Sequence, residues 1–385
     1  MGSAEWRLRD RRLLELTARW YIKHYVEWGK AVKLLGGSEE ERHTVASALL
    51  AEFVNAMTRV VKAALRDLLV YREFAVVYGD DVFGALDVGR TVAVLPAGVY
   101  ASLTYLPSLK APEYGILRRM ALKVAKWGRE AILDEKMREN AERLRRIAKR
   151  LPKAYGTAAV DVREAPPWLR QGWAIYKAAK ALVEGEVYVG ERRGVGKALK
   201  FINWRLYEMY IATLVLDALR RLGWRTVGID AEKRAVLVER DGKTLAVYLN
   251  RALPHHSIIE EVAGDEVRGR PDLTVANADV KAVVECKYSD RPGYIARGRF
   301  QVMTYMCEYS AKIGILVYPA VSEEEAEDEE EEAAVRWANS GKPIRMRDGR
   351  AIYPLRIDPA DGETADEARE RHLGEVIKLL KAALA

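Results

Sequence analysis

The chain has 385 residues, 49% of them hydrophobic and 31% charged, with a net charge of +7. That length buries one large core or two to three smaller ones, and the balance is that of a globular protein rather than a disordered one. No apolar run reaches membrane-spanning length, Met1-Gly2-Ser3 leads into a charged helix rather than a signal peptide, and Cys286 and Cys307 alone supply neither a disulfide framework nor a zinc spacing, so the expected location is intracellular and cytoplasmic.

Residues 1–190 read as a mainly helical N-terminal region. Trp6 to Tyr78 is mostly helical with a break at Gly36-Gly37, and a helix restarts after Ser38, a cap followed three residues on by Glu41. Residues 82–109 form a small β-rich insert of short strands and turns around Gly84, Gly89 and Pro96-Ala97-Gly98. Glu113 to Glu184 is helical again, interrupted near Pro152 and at Pro166-Pro167, and Gly185 to Gly196 is a glycine-rich connection. Arginines and lysines crowd Arg118 to Lys153 on a helical pattern. They suit a phosphate backbone, since neutralising phosphates releases counterions, or equally a solubilising face interleaved with Glu130, Asp134 and Glu142.

Residues 191–385 carry the chemistry. Leu199 to Leu222 is the most apolar helix in the chain, and Glu208 is its one charge between Arg205 and Asp217. Its helical neighbours Trp204, Ile211, Ala212 and Val215 desolvate that carboxylate, which then needs a metal, a lysine or a salt bridge to Arg205. Further on, Leu273-Thr274-Val275-Ala276 and Lys281-Ala282-Val283-Val284 are strand-like runs around the turn Asn277-Ala278-Asp279. Such a hairpin sets Asp272, at the start of one strand, beside Glu285 and Lys287 at the end of the other. Strand alternation sends Glu285 and Lys287 to one face and Val284, Cys286 and Tyr288 to the opposite one.

Two carboxylates without histidine or thiolate partners favour a hard divalent ion, magnesium or manganese rather than zinc. Lys287 would orient an attacking water or offset charge developing on a phosphate; a surface hairpin with a chance salt bridge is the plainer alternative. A helix from Arg297 to Ser310 follows, on which Gln301 and Tyr305 share a face near Arg291, Arg297 and Arg299, then the strand Ile313 to Tyr318. Nine of the ten residues from Glu323 to Glu332 are acidic, a pattern of a solvated, mobile insertion that leaves +16 on the remainder. Two short strands between Lys342 and Ile357 and a helix from Ala365 to Ala385 close the chain. His255-His256 stand in a loop without further histidine or cysteine, which suits solvent or substrate contact better than a transition metal, and no Walker loop is present.

Pro271-Asp272, Glu285-Cys286-Lys287, the helical Glu208, Gln301 and Tyr305 together resemble the PD-(D/E)XK nuclease superfamily, over Leu199 to Pro319. The resemblance implies a mixed α/β fold with a restriction-endonuclease-like core. It implies Asp272, Glu285 and the Cys286 carbonyl as ligands of Mg2+ or Mn2+, with Glu208 as an outer acid. Lys287 would be the catalytic lysine, and Gln301 and Tyr305 the Q-x-x-x-Y element of RecB-like members. The segments Gly84 to Thr91, Ala111 to Leu117 and Trp168 to Val189 are more diffusely similar to McrC-like restriction nuclease subunits, which implies DNA as substrate and an AAA+ NTPase motor as partner. The first 75 residues match no McrC pattern, and iron-sulfur nucleases with this core need four cysteines where this chain has two. The expected function is a magnesium-dependent endodeoxyribonuclease of antiviral defence or DNA processing. A nucleic-acid-binding adaptor and a ribonuclease with the same core are the alternatives, and homo-oligomerisation is left open.

Overall fold

The computed structural model describes residues 4–28, 39–67, 71–108, 111–131, 135–152, 165–186, 195–230, 232–260, 268–322 and 325–384. In chain order these form α1 (Ala4–Trp28), α2 (Glu39–Ala64), β1 (Tyr71–Gly79), β2 (Ala85–Leu86), α3 (Val88–Val94), β3 (Tyr100–Ser108), α4 (Pro112–Glu130), α5 (Glu135–Ala148), α6 (Pro167–Glu186) and α7 (Val195–Arg221). There follow β4 (Arg225–Asp230), β5 (Ala235–Arg240), β6 (Lys243–Leu249), β7 (Leu273–Ala276), β8 (Val280–Cys286), α8 (Pro292–Glu308), β9 (Ile313–Tyr318), α9 (Glu329–Ser340), β10 (Ile344–Arg345), β11 (Ala351–Arg356) and α10 (Ala365–Leu384). The class is mixed α/β, as expected. Gly36-Gly37, the Ser38 cap and residues 187–194 of the glycine-rich connection lie outside the described residues.

The chain divides into two compact units, one of Met1–Glu52, Glu130–Glu135 and Lys177–Ala385, the other of Phe53–Arg129 and Lys136–Tyr176. This division does not follow a single boundary near residue 190: the N-terminal helix groups with the C-terminal sheet.

In the first unit an eight-stranded sheet runs β10-β11-β9-β8-β7-β6-β5-β4, parallel at β11/β9/β8 and antiparallel elsewhere. Every residue of β9 is buried, the pattern of a strand covered on both faces. On one face Val283 of β8 packs with Ile295, Val302 and Met306 of α8 and Leu316 of β9. On the other, α7 meets β8, and α1 and α10 pack on α7. Tyr207 of α7 donates to the Ile357 carbonyl at 2.9 Å, and Tyr210 meets His372 Nδ1 of α10 at 2.9 Å. The three antiparallel strands β4 to β6 were not anticipated from the sequence.

The last four residues of the acidic run are helical. Asp328 caps α9 by accepting the Glu331 amide at 2.8 Å, and Glu329 to Glu332 form its first turn, where four carboxylates suit the positive end of the helix. The same density of charge that suggests a solvated segment thus starts a helix.

In the second unit the small sheet runs β1-β3-β2, so the chain at Tyr71–Gly79 is a strand rather than the end of the N-terminal helical stretch. Asp87 caps α3, a helix inside the expected β-rich insert. α4 buries Tyr114, Leu117, Met120, Ala121 and Val124 while Arg119, Lys123, Lys126 and Arg129 are exposed, so its basic residues occupy the solvent face. Tyr114 stacks on Trp168, and the Trp168 indole donates to Asp67 at 2.8 Å.

Candidate active site

The β7-β8 register pairs Leu273 with Val284, and one step further sets Asp272 across from Glu285. The turn ahead of β7 is held from α8: the buried Glu308 carboxylate accepts the Gly269 amide at 3.0 Å, and Tyr309 donates to the Gly269 carbonyl. Asp272 Oδ2 accepts the Cys286 amide at 2.7 Å, which locks the carboxyl against the end of β8. Lys287 Nζ donates to Glu285 Oε1 at 2.6 Å.

Glu208 comes from α7. Arg205, one turn back on the same helix, donates from Nη1 to its Oε2 at 2.7 Å, and the Asp272 carboxyl lies within hydrogen-bonding reach of the same glutamate. This residue is therefore salt-bridged to Arg205 and also faces an acid of the hairpin.

Electrostatics mark the cluster as costly. Burial pushes the Glu208 carboxyl up to about 7, with Arg205 opposing and Glu285 adding to the rise. Burial, then the charge of Asp272, pushes Glu285 up to about 8 against the pull of Lys287. Asp272 keeps some exposed surface as a residue, yet its carboxyl is deep enough that burial and Glu208 hold it well above the usual carboxylate range. Three acids so placed repel one another, and a buried charge without compensation costs several kcal/mol.

Tyr305 of α8 is half-buried, and burial together with Glu285 and Asp272 raises its phenol. Gln301 is exposed on the wall of the cleft that Tyr305 and Lys287 line. Cys286 is buried, and its thiol is raised by burial. The structure thus brings Glu208, Asp272, Glu285, Cys286 and Lys287 together, with Tyr305 and Gln301 at the cleft, and His255-His256 fall in a short 3-10 turn.

As a metal centre the donor set is one of oxygen ligands, which suits a hard divalent ion. Each acid uses one oxygen on a protein donor, Cys286 N, Lys287 Nζ or Arg205 Nη1. Among the described residues no three His, Cys, Asp or Glu side chains are arranged ready to hold an ion. The cluster fits a metal in the chemistry of its oxygen donors.

Three supporting residues, Gly298, Trp6 and Asp10, carry little signal in the sequence. A Cβ on Gly298 of α8 would lie 2.6 Å from Leu316 Cδ1 and 3.1 Å from Lys287 Cγ, so the absent side chain clears the path of the lysine. Trp6 of α1 donates to Asp290 at 2.7 Å, and Asp10 accepts from Tyr288 at 2.9 Å, bracing the chain directly after Lys287. For Gly298 the only signal was a glycine inside a helix.

No family model matches the chain, and no curated protein matches it. The structure described as a refined half-complex from a tetradecameric assembly of Thermococcus gammatolerans McrB AAA+ hexamers with bound McrC contains a chain that is 12% identical, over 87% of this chain and 68% of that one, with a TM-score of 0.29. At that TM-score the likeness establishes neither fold nor activity. No helix among the described residues is long and apolar enough to cross a membrane.

Proposed function

We propose that the Glu208, Asp272, Glu285 and Lys287 cluster is the hydrolytic centre of a PD-(D/E)XK-type nuclease acting on DNA phosphodiesters. The observation that carries this reading is the convergence of three buried, mutually repelling carboxyls on a lysine that is salt-bridged to one of them and lines two open clefts. Asp272 and Glu285, with the Cys286 carbonyl and Glu208 beside them, would hold magnesium or manganese. Such an ion polarises a phosphoryl oxygen and lowers the pKa of a bound water. Lys287, aimed by Glu285, orients the attacking water or donates to the phosphate oxygen on which charge develops. Tyr305 and Gln301 shape the cleft wall.

Cleavage of DNA in magnesium or manganese, together with manganese calorimetry, tests the centre. Asp272→Ala and Glu285→Ala should each lose both cleavage and manganese binding while circular dichroism stays unchanged. Variants that cleave and bind like the parent would sink the assignment.

The proposal extends to a defence or DNA-processing setting with an AAA+ NTPase partner, on the resemblance to McrC-like subunits. Support comes from Tyr78, Phe83, Leu86, Val88, Val92 and Tyr105 of the second unit, large apolar side chains that are all exposed and suit a protein partner. Cleavage by the isolated chain should be slow and rise when a co-purifying NTPase and its nucleotide are added. Full-rate cleavage by the chain alone would leave a free-standing nuclease.

A further inference from the structure

Two clefts open beside Lys287. One, of about 440 Å³, is walled by Lys287, Tyr294, Phe300 and Tyr305; the other, of about 430 Å³, by Lys287, Tyr294, Trp204 and Arg291. Lys287 and Tyr294 line both, so the lysine lies where the clefts meet. Tyr294 is 45% and Phe300 40% exposed, far from the burial of rings that serve as core. Each ring has a guanidinium beside it: Arg297 lies 5.3 Å from the centre of Tyr294, and Arg299 4.5 Å from that of Phe300. The two rings are six residues apart on α8, so they rise along the helix by about 9 Å.

Rings with cations beside them suit the base of a nucleotide, and the neighbouring Lys287, held on Glu285, suits its phosphate. In a duplex the faces of the bases are covered by their neighbours, and a protein meets only base edges and backbone. An exposed protein ring reaches a base face where the strand is unpaired, and stacking there is tolerant of sequence. Charge alone does not account for the surface, because Glu331 stands against Gly293 at the N-terminal end of α8.

We propose that Tyr294 and Phe300, with Arg297 and Arg299, form a stacking platform that makes an unpaired nucleic-acid strand the preferred ligand of this site over a duplex. This rests on the reading of the Lys287 cluster as a phosphodiester centre and goes beyond it by specifying the state of the strand. Single-stranded DNA and RNA share the chemistry that the rings recognise.

Fluorescence anisotropy in calcium, with dye-labelled oligonucleotides, tests it through four ligands: single-stranded DNA, single-stranded RNA, a hairpin duplex and a single strand with abasic sites. Tyr294→Ala combined with Phe300→Ala should weaken binding of the intact single strand about 10- to 100-fold. The same variant should leave the duplex and the abasic strand unchanged, and Tyr294→Trp with Phe300→Trp should bind like the parent. A ring-dependent loss on DNA alone, on RNA alone or on both supports the platform and tells which strand it serves. An equal loss on all four ligands, or none on the intact strands, overturns it. Ring-dependent binding by a protein that never cleaves would overturn the hydrolytic reading alone. A chain that cleaves duplex as fast as single strands, with or without its rings, would overturn the platform alone.

Discussion

Lys287 Nζ, just past the end of β8, lies 2.6 Å from Oε1 of Glu285 within that strand, and both side chains are largely shielded from solvent. The acid therefore sets where the lysine points. Lys287→Ala should lower single-turnover cleavage by about 100-fold or more, the scale of removing one preorganised electrostatic contact. Binding of DNA in calcium should stay within a few-fold of the parent, because the contact is made in the transition state. Equal losses of rate and affinity would reduce Lys287 to a phosphate contact.

Gly298→Ala tests how tightly that lysine is confined. The new methyl would stand 2.6 Å from Leu316 Cδ1 and 3.3 Å from Lys287 Cε, so one of them must move. The expected cost is about 1–3 kcal/mol of stability by chemical denaturation. Cleavage should fall as it does in Lys287→Ala, with manganese affinity retained. Full activity in this variant would show that the lysine is free to take another path.

Asp272→Asn should separate stability from activity. The amide oxygen still accepts from the Cys286 amide, while the repulsion toward Glu208 and Glu285 is removed. In chelator the variant should be more stable than the parent by roughly 1 kcal/mol, the usual yield of relieving a strained functional site. Manganese should raise the melting temperature of the parent and not of the variant. A destabilised variant in chelator would mean that the acids do not oppose one another.

His24, at a kink in α1, gives a pH signature. It is buried against Arg220 at 3.2 Å, and burial followed by the Arg220 charge lowers its pKa from 6.5 to about 4, with Asp217 pulling the other way. A depressed folded value means that the contribution of the neutral imidazole is whole above about pH 6.5 and fades as pH falls toward 4. Urea denaturation of the parent and His24→Gln across that window should show their stability difference shrinking as pH falls. A difference that grows on acidification would assign His24 to a charged pair with Asp217 instead.

The basic face of α4 and α5 is tested by its salt dependence. Arg119, Arg143 and Arg146 are exposed, and reversing them to glutamate should weaken DNA binding alike across sequences. The slope of log affinity against log salt should flatten by about 0.9 for each phosphate that is no longer neutralised. An unchanged slope would leave the face a solubilising one.

The hairpin that carries Asp272, Glu285 and Lys287 was legible because strand alternation and turn composition are local signals, and Glu208 because a lone carboxylate in an apolar helix advertises its cost. β4 to β6 are less legible: they pair with one another across short local turns, but they are short, and charged residues such as Arg225, Glu239, Arg240 and Lys243 stand at their ends. The strand Tyr71–Gly79 is hidden behind a helical stretch, since Ala75-Val76-Val77 carries no alternation. Gly298 has no side chain to notice, and the bracing of the site by α1 joins residues 284 apart in sequence, beyond the reach of any periodicity.

That bracing bears on the order in which the molecule is made. Arg9 of α1 grips Asp358 through two hydrogen bonds of 3.0 and 2.9 Å, closing a loop of 349 residues around the acid cluster. A chain emerging from the ribosome N-terminus first holds Trp6, Arg9 and Asp10 while Tyr288, Asp290 and Asp358 lie 278 to 349 positions further on. The acids gain this support only once Asp358 has been made, so the centre is completed long after α1, and its assembly waits on pairings of high sequence separation, the slow kind.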